Sequence, residues 1–143
     1  MNFLAIDPGK TTGWAYWNTE ESQFPTHFGE GNEVEFYNYL DGMIIVPDTV
    51  VYENYRIRIN PKQKGFSHAW SEGQPIQVIG AIKYWALTRE VPLLVKQEVS
   101  CLKPGAGFGN IPVPKGHIKD HLSAMAHGFY YLVKNGVIKP IGK

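Results

Sequence analysis

Cysteine is nearly absent from this chain: Cys101 stands alone, which excludes an intrachain disulfide and leaves a thiolate zinc site without most of its ligands. Long apolar runs are missing too, and none approaches the roughly 18 residues that a membrane span needs. The N-terminal MNFLAID has neither the basic region nor the cleavage site of an export signal, so the sequence predicts a cytoplasmic protein with no membrane segment. No internal repeat or low-complexity tract interrupts the 143 residues, a length that suits one compact domain over 1–143. Lys and Arg are absent from Asn18 to Tyr55, where eight acids fall. From Arg56 onward the balance reverses, with thirteen Lys or Arg against four acids. A net charge of +1 therefore conceals an acidic and a basic portion, and a polyanion responds to that distribution. The basic portion admits a nucleic-acid face; two ordinary solvated faces would account for the same asymmetry.

What is present reads as alternating elements. Residues 2–6 form a short apolar run, Asp7-Pro8-Gly9 a turn, and residues 12–17 a second run rich in aromatic side chains, which together predict a β-hairpin. A third strand is expected over 26–31. Phe36, Tyr37, Leu40, Met43 and Ile44 recur at helical spacing and predict a helix over 34–45, broken by Pro47. Thr49-Val50-Val51-Tyr52 is continuously apolar, as in a strand covered on both faces, with Glu53 at its end. Residues 54–68 contain no acid and predict a basic loop. A helix is expected over 74–89, apolar nearly all round through Ile76, Val78, Ile79, Ile82, Tyr84, Trp85 and Leu87, which points to deep burial or a partner surface. A buried strand over 93–95 follows. The stretch 103–116, with four Gly and three Pro, reads as a loop, and a last helix is expected over 117–134 before Asn135-Gly136. The order β, β, β, α, β, α, β, loop, α implies an α/β sheet with helices on its faces, whose sites form at the carboxyl ends of strands. Asp7 and Glu53 both fall there.

Carboxylates on separate elements are what divalent-cation phosphodiester cleavage requires, because hard oxygen ligands must hold two ions about 3.5–4 Å apart. The candidates are Asp7, Glu53 and Asp120, with His117 three residues before Asp120 on the same predicted helical face. Each has a structural explanation of its own. Asp7 suits a turn, Glu53 a strand end reaching water, Asp120 the positive end of a helix dipole, and His117 a helix cap. The joint pattern is harder to explain that way.

The run Phe3-Leu4-Ala5-Ile6-Asp7-Pro8-Gly9-Lys10-Thr11-Thr12-Gly13-Trp14-Ala15 resembles the N-terminal hairpin of RuvC-type Holliday-junction resolvases. Val50-Val51-Tyr52-Glu53-Asn54 resembles that family's second acidic motif, and the segment from His117-Ile118-Lys119-Asp120 to Ala126 its last. The resemblance spans nearly the whole chain and implies an RNase H-like fold, a central mixed five-stranded sheet flanked by helices. It implies an endonuclease that cuts four-way junctions or other branched DNA in recombination and repair, with Mg²⁺ as cofactor, two ions per site, and Mn²⁺ as a substitute. Asp7, Glu53, His117 and Asp120 would then be the metal-binding and catalytic set. It further implies a homodimer through the helix from Ile76 to Leu87. Tyr55 is the nearest aromatic to the position where the family carries a wedge, with Arg56, Arg58, Lys62 and Lys64 placed for phosphates. The family's extra helix before the last motif is replaced here by the expected loop, in which Lys103 and Lys115 would stand in for its basic residues. This trimmed arrangement is similar to compact versions carried by bacteriophages, for which the host cytoplasm is the site of action.

Three rivals are weaker on the residues. Asp7-Pro8-Gly9-Lys10-Thr11-Thr12-Gly13 is also similar to the first phosphate loop of sugar kinases and actin-like ATPases, but those need two such domains. A zinc hydrolase using His117 and His121 would lack the Glu that follows the first His of a zincin helix, and no third ligand is evident. A catalytically inactive junction-binding protein of the same fold would have no reason to keep Asp7, Glu53 and Asp120 together.

Overall fold

The computed structural model describes residues 1–55, 66–116 and 118–142, with side chains for all of these except 66–73. Arg56, Arg58, Lys62, Lys64 and His117 lie outside the described residues. Five strands, β1 (Asn2–Asp7), β2 (Thr12–Asn18), β3 (His27–Gly31), β4 (Thr49–Glu53) and β5 (Leu93–Gln97), pair in the order β3-β2-β1-β4-β5. The hairpin strands run antiparallel through β1, β2 and β3, whereas β4 and β5 join β1 in parallel. The sheet is thus mixed and five-stranded, as expected.

Alternation along the strands sorts side chains onto two cores. On one face Leu4, Ile6, Val50 and Tyr52 pack with Phe36 and Leu40 of α1 (Glu33–Asp41) and with Val78, Ile79, Ile82 and Trp85 of α2 (Phe66–Thr88). On the other, Phe3, Ala5, Ala15, Trp17 and Val51 meet Ala124, Phe129 and Leu132 of α4 (Asp120–Lys134). Because β4 lies between two parallel neighbours and under helices on both sides, its run reads continuously apolar.

Several boundaries differ from the sequence expectation, each for an identifiable reason. Helix α1 stops at Asp41 with Gly42 as its C-cap, short of the expected end at Ile45, and leaves Ile44 95% exposed. Its start is fixed by a capping box in which Asn32 and Glu35 each satisfy the other's backbone N–H. Helix α2 begins at Phe66, inside the expected loop, and continues through Pro75, where one i→i−4 bond is forgone. The expected loop over 103–116 contains a helix, α3 (Leu102–Phe108), preceded by a 3₁₀ turn at Val99–Cys101. Pro104 falls in the first turn of α3, where its missing N–H costs nothing. Gly105 is there for contact, since a Cβ at that position would stand 1.9 Å from the carbonyl oxygen of Ala126. The glycines that read as loop punctuation let α3 lie directly on α4. Helix α4 begins at Asp120 rather than at residue 117 and ends, as expected, at Lys134, with Asn135 as its C-cap and Gly136 at φ +70.

Candidate active site

Register across the sheet aligns a row of polar positions at one end of the strands. Glu30 pairs with Gly13, Gly13 with Asp7, and Glu53 with Gln97; Asp7 and Glu53 follow the paired Ile6 and Tyr52 on adjacent parallel strands. All sit at the end of the face that α4 covers. Gly13 is the point of closest approach: a Cβ there would lie 2.0 Å from the carbonyl oxygen of Asp120. The missing side chain lets the first turn of α4 rest on β2, one strand from Asp7.

The turn after β1 is held by Thr12, whose hydroxyl donates to the Gly9 carbonyl (3.2 Å) and accepts from the Gly9 N–H (3.4 Å). That work does not fall to Asp7, so the turn-former reading of Asp7 loses its basis. Its carboxyl instead meets Glu53 and Ser123. Asp7 keeps partial surface access, yet enough protein surrounds the carboxyl to raise its pKa well above the usual value, desolvation first and the Glu53 carboxylate beside it second. The Ser123 hydroxyl and, more weakly, His127 act in the opposite direction.

Ser123 and His127 lie three and seven residues beyond Asp120, hence on the same face of α4. Ser123 is 3% exposed and His127 is fully buried. The His127 Nδ1 stands 2.9 Å from Gln97 Nε2, which also donates to the His127 carbonyl at 3.0 Å. On its other side His127 Nε2 is 3.6 Å from Glu53 Oε1. Burial pushes the imidazole pKa down to about 4, outweighing the upward pull of Asp7, so the ring is neutral. At the β3 end His121 pairs with Glu30, and its ring stacks on Phe28. The Glu30 carboxyl is held below its usual pKa, chiefly by that hydrogen bond.

Of the expected site residues the structure brings Asp7 and Glu53 together and starts α4 at Asp120, whose backbone lies against Gly13, the β2 partner of Asp7. Among the described residues no group of three or more His, Cys, Asp or Glu is gathered closely enough to hold a cation. Tyr55 is partly buried against the core on the α1 and α2 face. Lys103 and Lys115 are exposed. Sequence reasoning missed Ser123, Gln97 and His127. The available signal was the spacing of Asp120, Ser123 and His127 along a helix face otherwise made of small and apolar residues.

No protein-family model and no curated protein matches the sequence. Among solved structures, the Thermus thermophilus RuvC structure aligns with 99% of this chain and 100% of its own at a TM-score of 0.54 and 14% identity. T. thermophilus RuvC in complex with a Holliday junction substrate aligns over 99% of both chains, at a TM-score of 0.54 and 19% identity. The fold is that of RuvC. A RuvC fold is RNase H-like, which agrees with the mixed five-stranded sheet and its two helical layers. At the sheet end bearing Asp7 and Glu53 the start of α4 also comes in, with the Asp120 backbone against Gly13.

Two carboxylates forced together in poorly hydrated surroundings must share a proton or a cation. The donor set is all oxygen, the kind that Mg²⁺ and Mn²⁺ take. Asp7 and Glu53 fit a divalent ion on that ground, with Asp120 at the adjoining helix start.

Proposed function

We propose that this chain is a metal-dependent endonuclease acting on branched DNA, four-way junctions in particular, by phosphodiester hydrolysis. The observation that carries this reading is the meeting of the Asp7 and Glu53 carboxyls at the ends of the adjacent parallel strands β1 and β4, where burial and then Glu53 raise the Asp7 pKa. A carboxyl held that way stores an affinity for positive charge that a divalent ion would satisfy. Asp7, Glu53 and Asp120 would hold Mg²⁺ or Mn²⁺, with His117 as a further ligand. Bound there, the metal would activate water and stabilise the leaving oxygen. The protein's own part is to fix the carboxylates and exclude bulk water. Gly13 admits α4 to the sheet, Ser123 holds the Asp7 carboxyl, and the packed α4 closes the site from one side.

Branched DNA as the substrate is supported by the fold shared with a RuvC bound to a Holliday junction. It is supported also by the basic balance of the chain after Arg56. Arg56, Arg58, Lys62, Lys64, Lys103 and Lys115 would contact phosphates, and Tyr55 would stack on a base near the branch once freed from the core. A homodimer through α2 would present two sites to two strands. Tyr84 and Leu87 on that helix are 71% and 76% exposed, apolar surface that a partner would cover.

The test is cleavage of a synthetic four-way junction beside a matched linear duplex, with Mg²⁺ or with EDTA, by the parent protein and by Asp120→Asn. Paired, metal-dependent incisions confined to the junction and lost in the variant are expected. Junction binding without any cleavage would replace this reading with that of a non-catalytic junction binder.

A further inference from the structure

Buried in the second core, on the far side of Glu53 from Asp7, lies a polar chain that the acidic motifs do not include. His127 is fully buried and Gln97 is 7% exposed, and Gln97 is the register partner of Glu53 across β4 and β5. A pair of buried polar side chains in an otherwise apolar interface costs stability unless it does something for its neighbours.

The hydrogen bonds fix the chemical state of this pair. Gln97 Nε2 lies 3.0 Å from the His127 carbonyl oxygen, and a carbonyl can only accept, so that atom of Gln97 must be the amide nitrogen. Turning the amide over would set two oxygens against each other. The same nitrogen lies 2.9 Å from His127 Nδ1, which must therefore accept and carry no proton. A neutral imidazole with an unprotonated Nδ1 carries its proton on Nε2. That N–H has no hydrogen-bond partner among the described residues, and it faces Glu53 Oε1 at 3.6 Å. A few tenths of an ångström separate it from a normal hydrogen bond. The Glu53 side chain is 18% exposed.

We infer that His127 is a positioning residue for Glu53: Gln97 locks the imidazole in the Nε2–H form, and that N–H holds one carboxylate oxygen of Glu53 so that the other is presented to a divalent cation. With its Nδ1 lone pair engaged and its Nε2 protonated, His127 has no lone pair to offer a cation and acts only through Glu53. The arrangement is that of an outer ligand orienting an inner one. This inference rests on the metal-dependent reading above, but its primary readouts do not require DNA cleavage.

Long-range ¹H–¹⁵N correlation spectra of the full chain, labelled at histidine, report the tautomer of each ring. The His127 ring is expected to show a protonated Nε2 and an unprotonated Nδ1, and Gln97→Leu is expected to mix the two forms. Calorimetric titration with Mg²⁺ alone then reads the consequence. Weakening of roughly 10–100-fold is expected for His127→Phe, a smaller loss for Gln97→Leu, and partial recovery for His127→Gln, whose amide N–H reaches toward Glu53. Should His127→Phe fail to fold, Gln97→Leu, which leaves the imidazole in place, still decides the matter. A protonated Nδ1 in the parent protein would overturn the inference, as would unchanged Mg²⁺ affinity in a Gln97→Leu variant whose tautomer has become mixed. If the parent binds Mg²⁺ and shows the expected tautomer but cleaves no branched DNA, the nuclease reading fails while the His127 assignment stands.

Discussion

At Asp7 the physics of one buried carboxyl governs both stability and cation affinity. Its pKa is raised in the folded chain, so it holds a proton there more firmly than in the unfolded chain. For the metal-free protein the linkage follows directly: this contribution is full below the unfolded value and is lost as pH rises through the folded one. Asp7→Asn removes the charge without the shape. It should abolish cleavage, leave junction binding in place, and raise the melting temperature of the metal-free protein at neutral pH by roughly 3–6 °C for each kcal/mol recovered. A lower melting temperature in scanning calorimetry would show that the carboxyl is not strained by its surroundings. His127 has the opposite sign. Its folded pKa of about 4 lies below the usual 6.5, so its contribution is complete above 6.5 and lost as pH falls toward 4. His127 should account for about 3 kcal/mol of lost stability across that window, and Asp7→Asn, which removes the upward pull of that carboxyl on the imidazole, should leave the loss at least as large. Urea denaturation of Asp7→Asn with and without His127→Gln, at pH 7 and pH 4.5, measures it.

Elements meet at this site through missing side chains as much as through present ones. Helix α4 reaches the carboxylates because Gly13 lets its first turn touch β2, while Gly128 accepts the Trp17 ring and Gly105 lets α3 rest on the Ala126 backbone. Gly13→Ala would drive a methyl group to within 2.0 Å of the Asp120 carbonyl, so the helix start must shift. A destabilisation of about 1–3 kcal/mol is expected. Cleavage should fall much further than stability, because Asp120 moves relative to Asp7. Equal losses in denaturant midpoint and in cleavage rate would mean that the position of α4 matters only for packing. The same contacts explain why the segment over 103–116 reads as a loop from composition yet folds as α3. Gly and Pro are local helix breakers, but proximity to α4 is a tertiary fact that no window of sequence contains. Helix α1 errs the other way, since periodic apolar residues continue past Gly42 to Ile44 although the helix does not.

For the whole molecule, the proposed assembly and cation site make two further measurable demands. Leu87→Glu together with Tyr84→Glu changes only exposed positions and should leave the fold intact. Sedimentation at micromolar concentration is expected to show a dimer for the parent and a monomer for the double variant, with paired incisions replaced by single nicks. A parent protein that sediments as a monomer both alone and on junction DNA would remove α2 as an interface. Removing the cation is the second demand: saturating Mg²⁺ at about a hundred times its dissociation constant should stabilise the parent by about 2.7 kcal/mol and EDTA should reverse it. Asp7→Asn should show neither effect.

The sequence by itself determined the elements whose signals are local. The hairpin, the buried β4 run, the C-terminal end of α4, and Asp7 and Glu53 at strand ends all follow from periodicity and turn chemistry that a short window contains. Only the tertiary structure decided which polar groups face one another. Asp7 meets Glu53 because β4 is parallel to β1 and in register with it, and Ser123 and His127 join them because α4 crosses that face. Gln97 lies 30 residues from His127 in sequence and 2.9 Å from its ring in space, a distance set by strand order and helix docking. Side-chain chemistry is written one residue at a time, whereas the desolvation that gives it force comes from neighbours that only the folded chain assembles.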